Sequence, residues 1–174
     1  MKEGRRIRSC QAGFSMIELL VVIAIAGILL GAALPAMHRY TGTAKLLGAS
    51  DEIAGTLKMA RQRAVATNGF VVVQFDINNE RYYLFDDENQ NGSRDGDETM
   101  AGPYTLSKGV DLVQVGFQNS RVQFGSSGAA SGQSGADGGG VVIVNSRRAA
   151  QRIDITPATG LIYVSEIFNY AERY

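Results

Sequence analysis

The residues of this sequence that could do chemistry lie mainly in one acidic stretch, residues 87–98, which reads Asp-Glu-Asn-Gln-Asn-Gly-Ser-Arg-Asp-Gly-Asp-Glu. A calcium loop of the EF-hand type takes oxygen ligands from positions 1, 3, 5, 7, 9 and 12 and has Gly at position 6. Here Gly92 stands at position 6, and the ligand positions carry Asp87, Asn89, Asn91, Ser93 (through its carbonyl), Asp95 and Glu98. The spacing therefore predicts a candidate calcium site.

A second interpretation of this loop stays open. The stretch follows a strand-like segment, residues 81–85, and no clear helix comes after it, whereas an EF-hand loop lies between two helices. Only three of the six ligand residues are carboxylates, so the Kd for calcium would be weak, about 10⁻⁴–10⁻³ M. The alternative is an acidic hairpin loop in which Asn91-Gly92 is the turn dipeptide.

Composition excludes most other chemistry. The 174 residues include one Cys and one His, which excludes a disulfide framework and a metal cluster built on several Cys or His ligands. Lys+Arg and Asp+Glu both number 17, so the chain lacks the basic excess of a dedicated nucleic-acid protein. Arg147, Arg148 and Arg152 could contact phosphates, but a group of this size is more typical of a charged strand edge. DNA is therefore not expected as a partner.

Enzymatic motifs are also missing from the sequence. It contains no Ser-His-Asp, Cys-His, P-loop or paired-carboxylate pattern. We therefore predict that the protein is not an enzyme, has no catalytic residues and uses no cofactor apart from the possible calcium ion.

The amino-terminal end has a signature of its own. Residues 2–8 carry four basic side chains and one acidic one, and residues 14–34 form a 21-residue apolar run whose one ionisable group is Glu18. As a helix this run would be about 31 Å long, enough to cross the hydrocarbon core of a bilayer. The basic flank predicts that the amino terminus stays in the cytoplasm and that the rest of the chain is exported.

Three kinds of segment could account for this pattern. A cleaved signal peptide fits poorly, because Leu34 would occupy the −3 position, where a small residue is needed. A plain signal anchor leaves Glu18 unexplained: a charge at the bilayer centre costs about 2.5–3.5 kcal/mol on insertion scales, and although the cost is lower near the end of the span, where Glu18 lies, the carboxylate still needs a partner. The third possibility comes from the sequence Gly13-Phe14-Ser15-Met16-Ile17-Glu18, which resembles the processing site of type IV prepilins and type II secretion pseudopilins.

This resemblance implies that a prepilin peptidase cleaves between Gly13 and Phe14 and N-methylates the new amino terminus. The mature chain, residues 14–174, would contain no cysteine, because Cys10 leaves with the leader. The α-ammonium of Phe14 could then neutralise the carboxylate of Glu18 in its own helix or in a neighbouring one, and an unpaired buried charge would cost several kcal/mol. Glu18 is therefore a candidate assembly residue that sets the register between helices.

The elements that carry these residues follow from the hydrophobic pattern. We predict one long helix over residues 14–67, bent at Pro35, with a C-cap at Asn68-Gly69. Its first part, residues 14–35, would lie in the membrane or filament core. Its second part, residues 36–68, is amphipathic and would pack one apolar face on a sheet, through Leu46, Ile53, Leu57, Ala60 and Ala64.

Residues 69–174 form a β-rich domain in this interpretation. Seven short strands are predicted, which indicates antiparallel pairing in two packed sheets: residues 70–75, 81–85, 110–115, 121–124, 141–144, 152–155 and 161–164. Residues 125–140 are rich in Gly and Ser and predict a flexible loop.

The order of these features also resembles a family. A long helix ending in ARQRAVATNG, a hairpin, an acidic Asn-Gly loop and a Thr-Gly pair before the last strand resemble the GspH/FimT group. That group contains the minor pseudopilin H of type II secretion and minor type IV pilins. The resemblance implies an α+β, type IV pilin-like fold, in which residues 1–13 are a cleaved leader.

The resemblance also implies a non-enzymatic subunit of the type II secretion filament, with a single inner-membrane span and a periplasmic globular domain. Its partners would be other pilins or pseudopilins, contacted through the amino-terminal helix, together with the prepilin peptidase and the inner membrane. Two alternatives remain. One is a minor type IV pilin for pilus assembly, DNA uptake or adhesion, and the other is a signal-anchored periplasmic binding protein that does not polymerise.

Overall fold

The computed structural model describes residues 14–132 and 139–173 of the chain. The chain divides into two compact units between Arg39 and Tyr40, and each unit is described by itself. The long helix α1, Met16–Thr67, begins in the first unit and ends in the second.

Ten strands and a short terminal helix follow α1. They are β1 Val71–Asp76, β2 Arg81–Asp86, β3 Met100–Thr105, β4 Val110–Val115, β5 Arg121–Phe124, β6 Ala130–Ser131, β7 Gly139–Asn145, β8 Ala149–Ile155, β9 Ile162–Val164, β10 Phe168–Asn169 and α2 Tyr170–Arg173. Two short 3₁₀ turns, Ile77–Asn79 and Gln118–Ser120, precede β2 and β5.

The first unit consists of the start of α1. The helix begins after Ser15, whose Oγ accepts a hydrogen bond from the backbone N–H of Glu18 at 3.4 Å. Large apolar side chains are exposed all along the described part of this unit, from Phe14 to Leu30. Among the residues that the structure describes, no helix is both long enough and apolar enough to cross a membrane.

The second unit buries one face of α1. All five apolar side chains predicted to share this face are fully buried: Leu46, Ile53, Leu57, Ala60 and Ala64. The helix ends where the sequence predicts, because Asn68 adopts a left-handed conformation with φ 50° and the Gly69 N–H donates to the Ala64 carbonyl at 3.0 Å. The bend expected at Pro35 stays a prediction.

Two antiparallel sheets complete the second unit, as predicted. One has the strand order β3-β2-β1-β5-β6, and the other has the order β10-β8-β7-β4, with β9 also paired to β8. One continuous hydrophobic core contains the buried face of α1 and side chains from both sheets, such as Val73 and Phe75 of β1 and Ile143 and Ile153 of β7 and β8. The fold is therefore α+β.

Strand β3 was not predicted from the sequence. It contains Gly102 and Pro103, which normally indicate a turn. Because β3 is the outermost strand of its sheet, it tolerates a residue that has no N–H to donate to a neighbouring strand. The two-residue strands β6 and β10 were also missed.

The prediction of a flexible loop over residues 125–140 is wrong at two places. Ala130 and Ser131 form β6, which pairs with β5, and Gly139 and Gly140 begin β7, which pairs with β8. At Gly140 the glycine serves close packing: an added Cβ would lie 2.6 Å from Oδ1 of Asp154. The predicted loop residues 133–138 lie outside the described ones.

Candidate functional site

The acidic stretch forms the loop between β2 and β3, which are neighbouring antiparallel strands. At its base the Asp86 N–H donates to the Thr99 carbonyl at 3.0 Å, and the Asp87 N–H donates to the Phe70 carbonyl at 2.9 Å. The loop therefore joins two strands and not two helices, and this location is the one that the hairpin interpretation predicts.

Asp87 is a buried residue of the loop, with 1% of its surface exposed. Its Oδ2 accepts hydrogen bonds from the Gly92 N–H at 2.9 Å and from Nε2 of Gln123 at 2.6 Å. Its Oδ1 is buried without a hydrogen-bond partner. The first and sixth positions of the predicted calcium loop are thus in direct contact, and one carboxylate oxygen remains unpaired.

Glu98 closes the loop at its other end and is 8% exposed. Its Oε1 accepts a hydrogen bond from the Glu88 N–H at 3.3 Å, and its Oε2 accepts one from the Asp95 N–H at 2.9 Å. The carboxylate therefore holds the start of the loop against its final turn.

Two further candidate ligands, Asn89 and Asn91, are brought together around Asp95. Its Oδ2 accepts hydrogen bonds from Nδ2 of Asn89 at 2.5 Å and from Nδ2 of Asn91 at 3.0 Å. The Oδ1 atoms of the two asparagines accept the N–H groups of Asn91 and Ser93 at 3.0 and 2.6 Å. Gly92 has φ +68°, a left-handed conformation that favours glycine. This conformation explains why a glycine occupies the turn.

Three side chains outside the loop contact it or the end of β2 at its base, and sequence reasoning missed all of them. Arg121 donates from Nη1 to the Gly92 carbonyl and to Oγ of Ser93, and Gln123 holds Oδ2 of Asp87. From the end of α1, Arg63 forms an ion pair of 2.5 Å with Asp86. No local signal marks these residues, because only the pairing of β5 with β1 and the docking of α1 bring them to the loop.

Acidic side chains alone do not form a metal centre in this loop. Among residues 14–132 and 139–173, no three Asp, Glu, His or Cys side chains cluster in a way that could hold a metal ion. A cation bound here would therefore depend on amide and backbone oxygens as well as on carboxylates, as the sequence pattern implies. Calcium binding stays a prediction.

The candidate processing and assembly residues lie at the start of α1. Gly13 is outside the described residues, Phe14 is 79% exposed, and Glu18 lies exposed in the first turn of the helix. The role of Ser15 as the N-cap was missed, although a Ser followed three residues later by Glu is a known sequence signal for a helix start. Cleavage and the role of Glu18 stay predictions.

The three arginines near the carboxyl terminus do not act together. Arg152 on β8 forms an ion pair of 2.6 Å with Asp154, so its charge is balanced locally. Arg147 and Arg148 are exposed in the turn between β7 and β8. The strand-edge interpretation is wrong for these residues, because two of them lie in a turn and β8 is paired on both sides, with β7 and with β9 and β10.

Comparison with known proteins places these features in context. The family model described as type II transport protein GspH matches residues 49–159, and the model of the prokaryotic N-terminal methylation motif matches residues 8–34. The fold is similar to that of the minor pseudopilin EpsH from the type 2 secretion system of Vibrio cholerae, with a TM-score of 0.51 and 14% identity. That match covers 70% of this chain and 96% of the EpsH chain. No curated protein sequence matches the chain.

Proposed function

Because this chain belongs to the GspH family of type II transport proteins, we propose that it is a minor pseudopilin subunit that assembles into the filament of a type II secretion system. The observation that carries this proposal is the row of exposed apolar side chains from Phe14 to Leu30, within the N-terminal methylation motif. Exposed apolar area is unfavourable in water by about 25 cal/mol per Å². This helix segment therefore needs lipid or neighbouring helices around it.

Maturation follows from the same segment. Prepilin peptidase cleaves between Gly13 and Phe14 and methylates the new amino terminus. The Glu18 carboxylate then pairs with the α-ammonium of Phe14 in an adjacent subunit, where the low dielectric of the helix bundle strengthens the attraction. The small residues Gly27 and Gly31, where an added Cβ would have no atom within 4 Å, leave room for close helix approach.

The location of the protein follows from its topology. The basic residues before position 9 stay in the cytoplasm, residues 14–34 anchor the protein in the inner membrane, and the unit from Tyr40 to Tyr174 lies in the periplasm. After assembly the same helix moves from lipid into the filament core. The role of the protein is structural, and we expect it to have no catalytic activity.

Deletion and complementation in the native host test this proposal. Loss of the gene should block release of type II substrates into the medium and leave surface pili unchanged, and the full chain should restore release. Loss of pili with normal secretion would instead assign the protein to a type IV pilus. If neither phenotype changes, the protein is not a required filament subunit and the proposal fails.

A further inference from the structure

We propose that the β2–β3 loop, residues 87–98, binds one calcium ion. The proposal goes beyond the secretion role and depends on the loop alone. Its starting point is Asp87, which is buried and leaves its Oδ1 without a hydrogen-bond partner. A buried carboxylate oxygen without a partner is costly, and a cation is the partner that a carboxylate binds most strongly.

The carboxylate of Asp87 points into the loop. Its other oxygen, Oδ2, accepts the N–H of Gly92 at 2.9 Å, and Gly92 stands at the turn that the loop wraps around. Gln123 holds the same oxygen at 2.6 Å from β5, so the side chain cannot easily turn away. These contacts fix the carboxylate through Oδ2 and leave Oδ1 as the oxygen available for a cation at position 1.

The amide ligands keep coordinating capacity even though they are hydrogen-bonded. Oδ1 of Asn89 and Oδ1 of Asn91 each accept one backbone N–H in the loop. An amide oxygen has two lone pairs, so each can bind a cation with the second one. Both amides also lie within 3.0 Å of Oδ2 of Asp95, which places positions 3, 5 and 9 side by side.

Glu98 supplies the ligand at position 12, the last of the predicted calcium loop. Its two carboxylate oxygens bond the N–H groups of Glu88 and Asp95, so it already links both ends of the loop. A bidentate Glu at position 12 is the ligand that completes a calcium loop of this type.

The charge around the loop favours a cation. Residues 86–98 contain six acidic side chains and one basic one, Arg94. Two further arginines approach from outside: Arg63 pairs with Asp86, and Arg121 bonds the Gly92 carbonyl and the Ser93 hydroxyl. The acidic charge still exceeds the basic charge, and a divalent ion would relieve the remaining repulsion.

Calcium fits this ligand set better than magnesium. Calcium accepts six to eight oxygens in flexible geometry, whereas magnesium requires a near-ideal octahedron and gives up its water reluctantly. Three of the predicted ligands are carboxylates, and among the described residues they do not form a metal-binding cluster, so calcium has to draw them together. We therefore expect a weak Kd of about 10⁻⁴–10⁻³ M, as in extracellular calcium modules.

The test uses the full chain in detergent micelles, first depleted of metal with EGTA. Calorimetric titration with calcium chloride should show one site, and the melting temperature should be higher in millimolar calcium than in EGTA. Magnesium chloride should give a smaller change. The informative pair of variants is Glu98→Gln and Asp97→Asn, because each removes one charge from adjacent positions but only Glu98 is a predicted ligand.

Glu98→Gln should weaken calcium binding about tenfold or more, and Asp97→Asn should leave it within about twofold. Equal weakening by the two variants would overturn the proposal, because it would indicate non-specific attraction to acidic charge. The proposal also fails if the wild-type chain gives no heat of binding and melts at the same temperature in calcium and EGTA.

A second variant keeps the test decisive if Glu98→Gln does not fold. Asp95→Asn changes a half-buried side chain at the loop surface, which accepts hydrogen bonds from Asn89 and Asn91. With folding verified by circular dichroism, loss of the calcium response in this variant supports the site, and an unchanged response contradicts it.

Discussion

Ser50 on α1 donates a hydrogen bond from its Oγ to Oε1 of Gln151 on β8 at 2.6 Å, and the two side chains are only 1% and 5% exposed. Gln151 also donates from Nε2 to the Ser165 carbonyl at 3.1 Å. This polar contact joins α1 to β8 within a largely apolar core, and the hydrogen bond from Nδ2 of Asn145 on β7 to the Gly42 carbonyl at 3.4 Å is a second link between the helix and this sheet. The second half of α1 is therefore held against β8 by a buried hydrogen bond as well as by apolar packing.

Ser50→Ala should destabilise the protein by about 1–3 kcal/mol, because Oε1 of Gln151 would remain buried without its donor. Chemical denaturation of the full chain in micelles measures the change. Ser146→Ala is the matched control, since Ser146 is exposed in the β7–β8 turn, and it should stay within about 0.5 kcal/mol of wild type. Equal stability of the two variants would show that the buried contact contributes nothing.

Two glycines should respond to alanine in opposite directions. Gly55 lies in α1 with no atom within 4 Å of an added Cβ, so Gly55→Ala should stabilise the protein by about 0.4–1 kcal/mol. Gly132 has φ +90°, and an added Cβ would lie 2.8 Å from the backbone carbonyl oxygen of Arg121, which cannot move aside as a side chain can. Gly132→Ala should therefore cost about 1–3 kcal/mol, measured as a lower melting temperature. The same sign for both changes would contradict the packing described here.

The loss of folding stability at low pH should depend on Asp76. The amide of Asn79, at 2.8 Å, lowers the pKa of Asp76 below its ordinary 3.8, burial opposes this effect, and Arg81 at 2.9 Å lowers the pKa further. Because the folded-state pKa is the lower one, the stabilisation is present above about pH 4 and is lost as the pH falls through the folded pKa.

Denaturation curves at a series of pH values test this dependence. Wild type should lose more stability on acidification than Asp76→Asn does, whereas Asp111→Asn, an exposed control, should follow wild type. Parallel curves for wild type and Asp76→Asn would remove Asp76 as a source of acid sensitivity.

Much of the fold could be predicted from local patterns. The buried face of α1 repeats at helical spacing, and the strands Val71–Asp76 and Val110–Val115 are rich in β-branched residues. Strand β3 could not be predicted, because Gly102 and Pro103 have the composition of a turn and only its place at the sheet edge makes them acceptable.

The candidate loop was predictable only in part. Spacing alone identified Asp87, Gly92 and Glu98, because the ligand pattern is local in sequence. The supporting contacts of Arg121 and Gln123 are 28 to 36 residues away from their loop partners, and nothing in the sequence indicates that β5 lies beside β1. Long-range pairing of this kind is specified by the whole core and not by any one segment.

Maturation should leave Phe14 as the amino-terminal residue. Intact-mass analysis of the protein purified from membranes should give a chain of residues 14–174 with one added methyl group and no cysteine. Gly13→Ala should reduce this cleavage, because it changes the residue at the cleavage site. Gly4→Ala is the control: Gly4 also lies in the leader, and its change should leave cleavage as in wild type. A chain that retains Met1, or one that begins near Met37, would exclude processing of the pilin type.

In the assembled filament, the helix that begins at Phe14 should contact other pilins, with Glu18 pairing across subunits. A photo-crosslinker placed at the exposed Leu20 in membranes containing the other secretion subunits tests this contact most directly. We predict adducts with pilin-like subunits, and in Glu18→Val at least about a tenfold loss of these adducts with unchanged membrane insertion, because the partner's ammonium would be left unpaired. Adducts of equal yield in both proteins, or none with any pilin-like subunit, would contradict the proposed assembly.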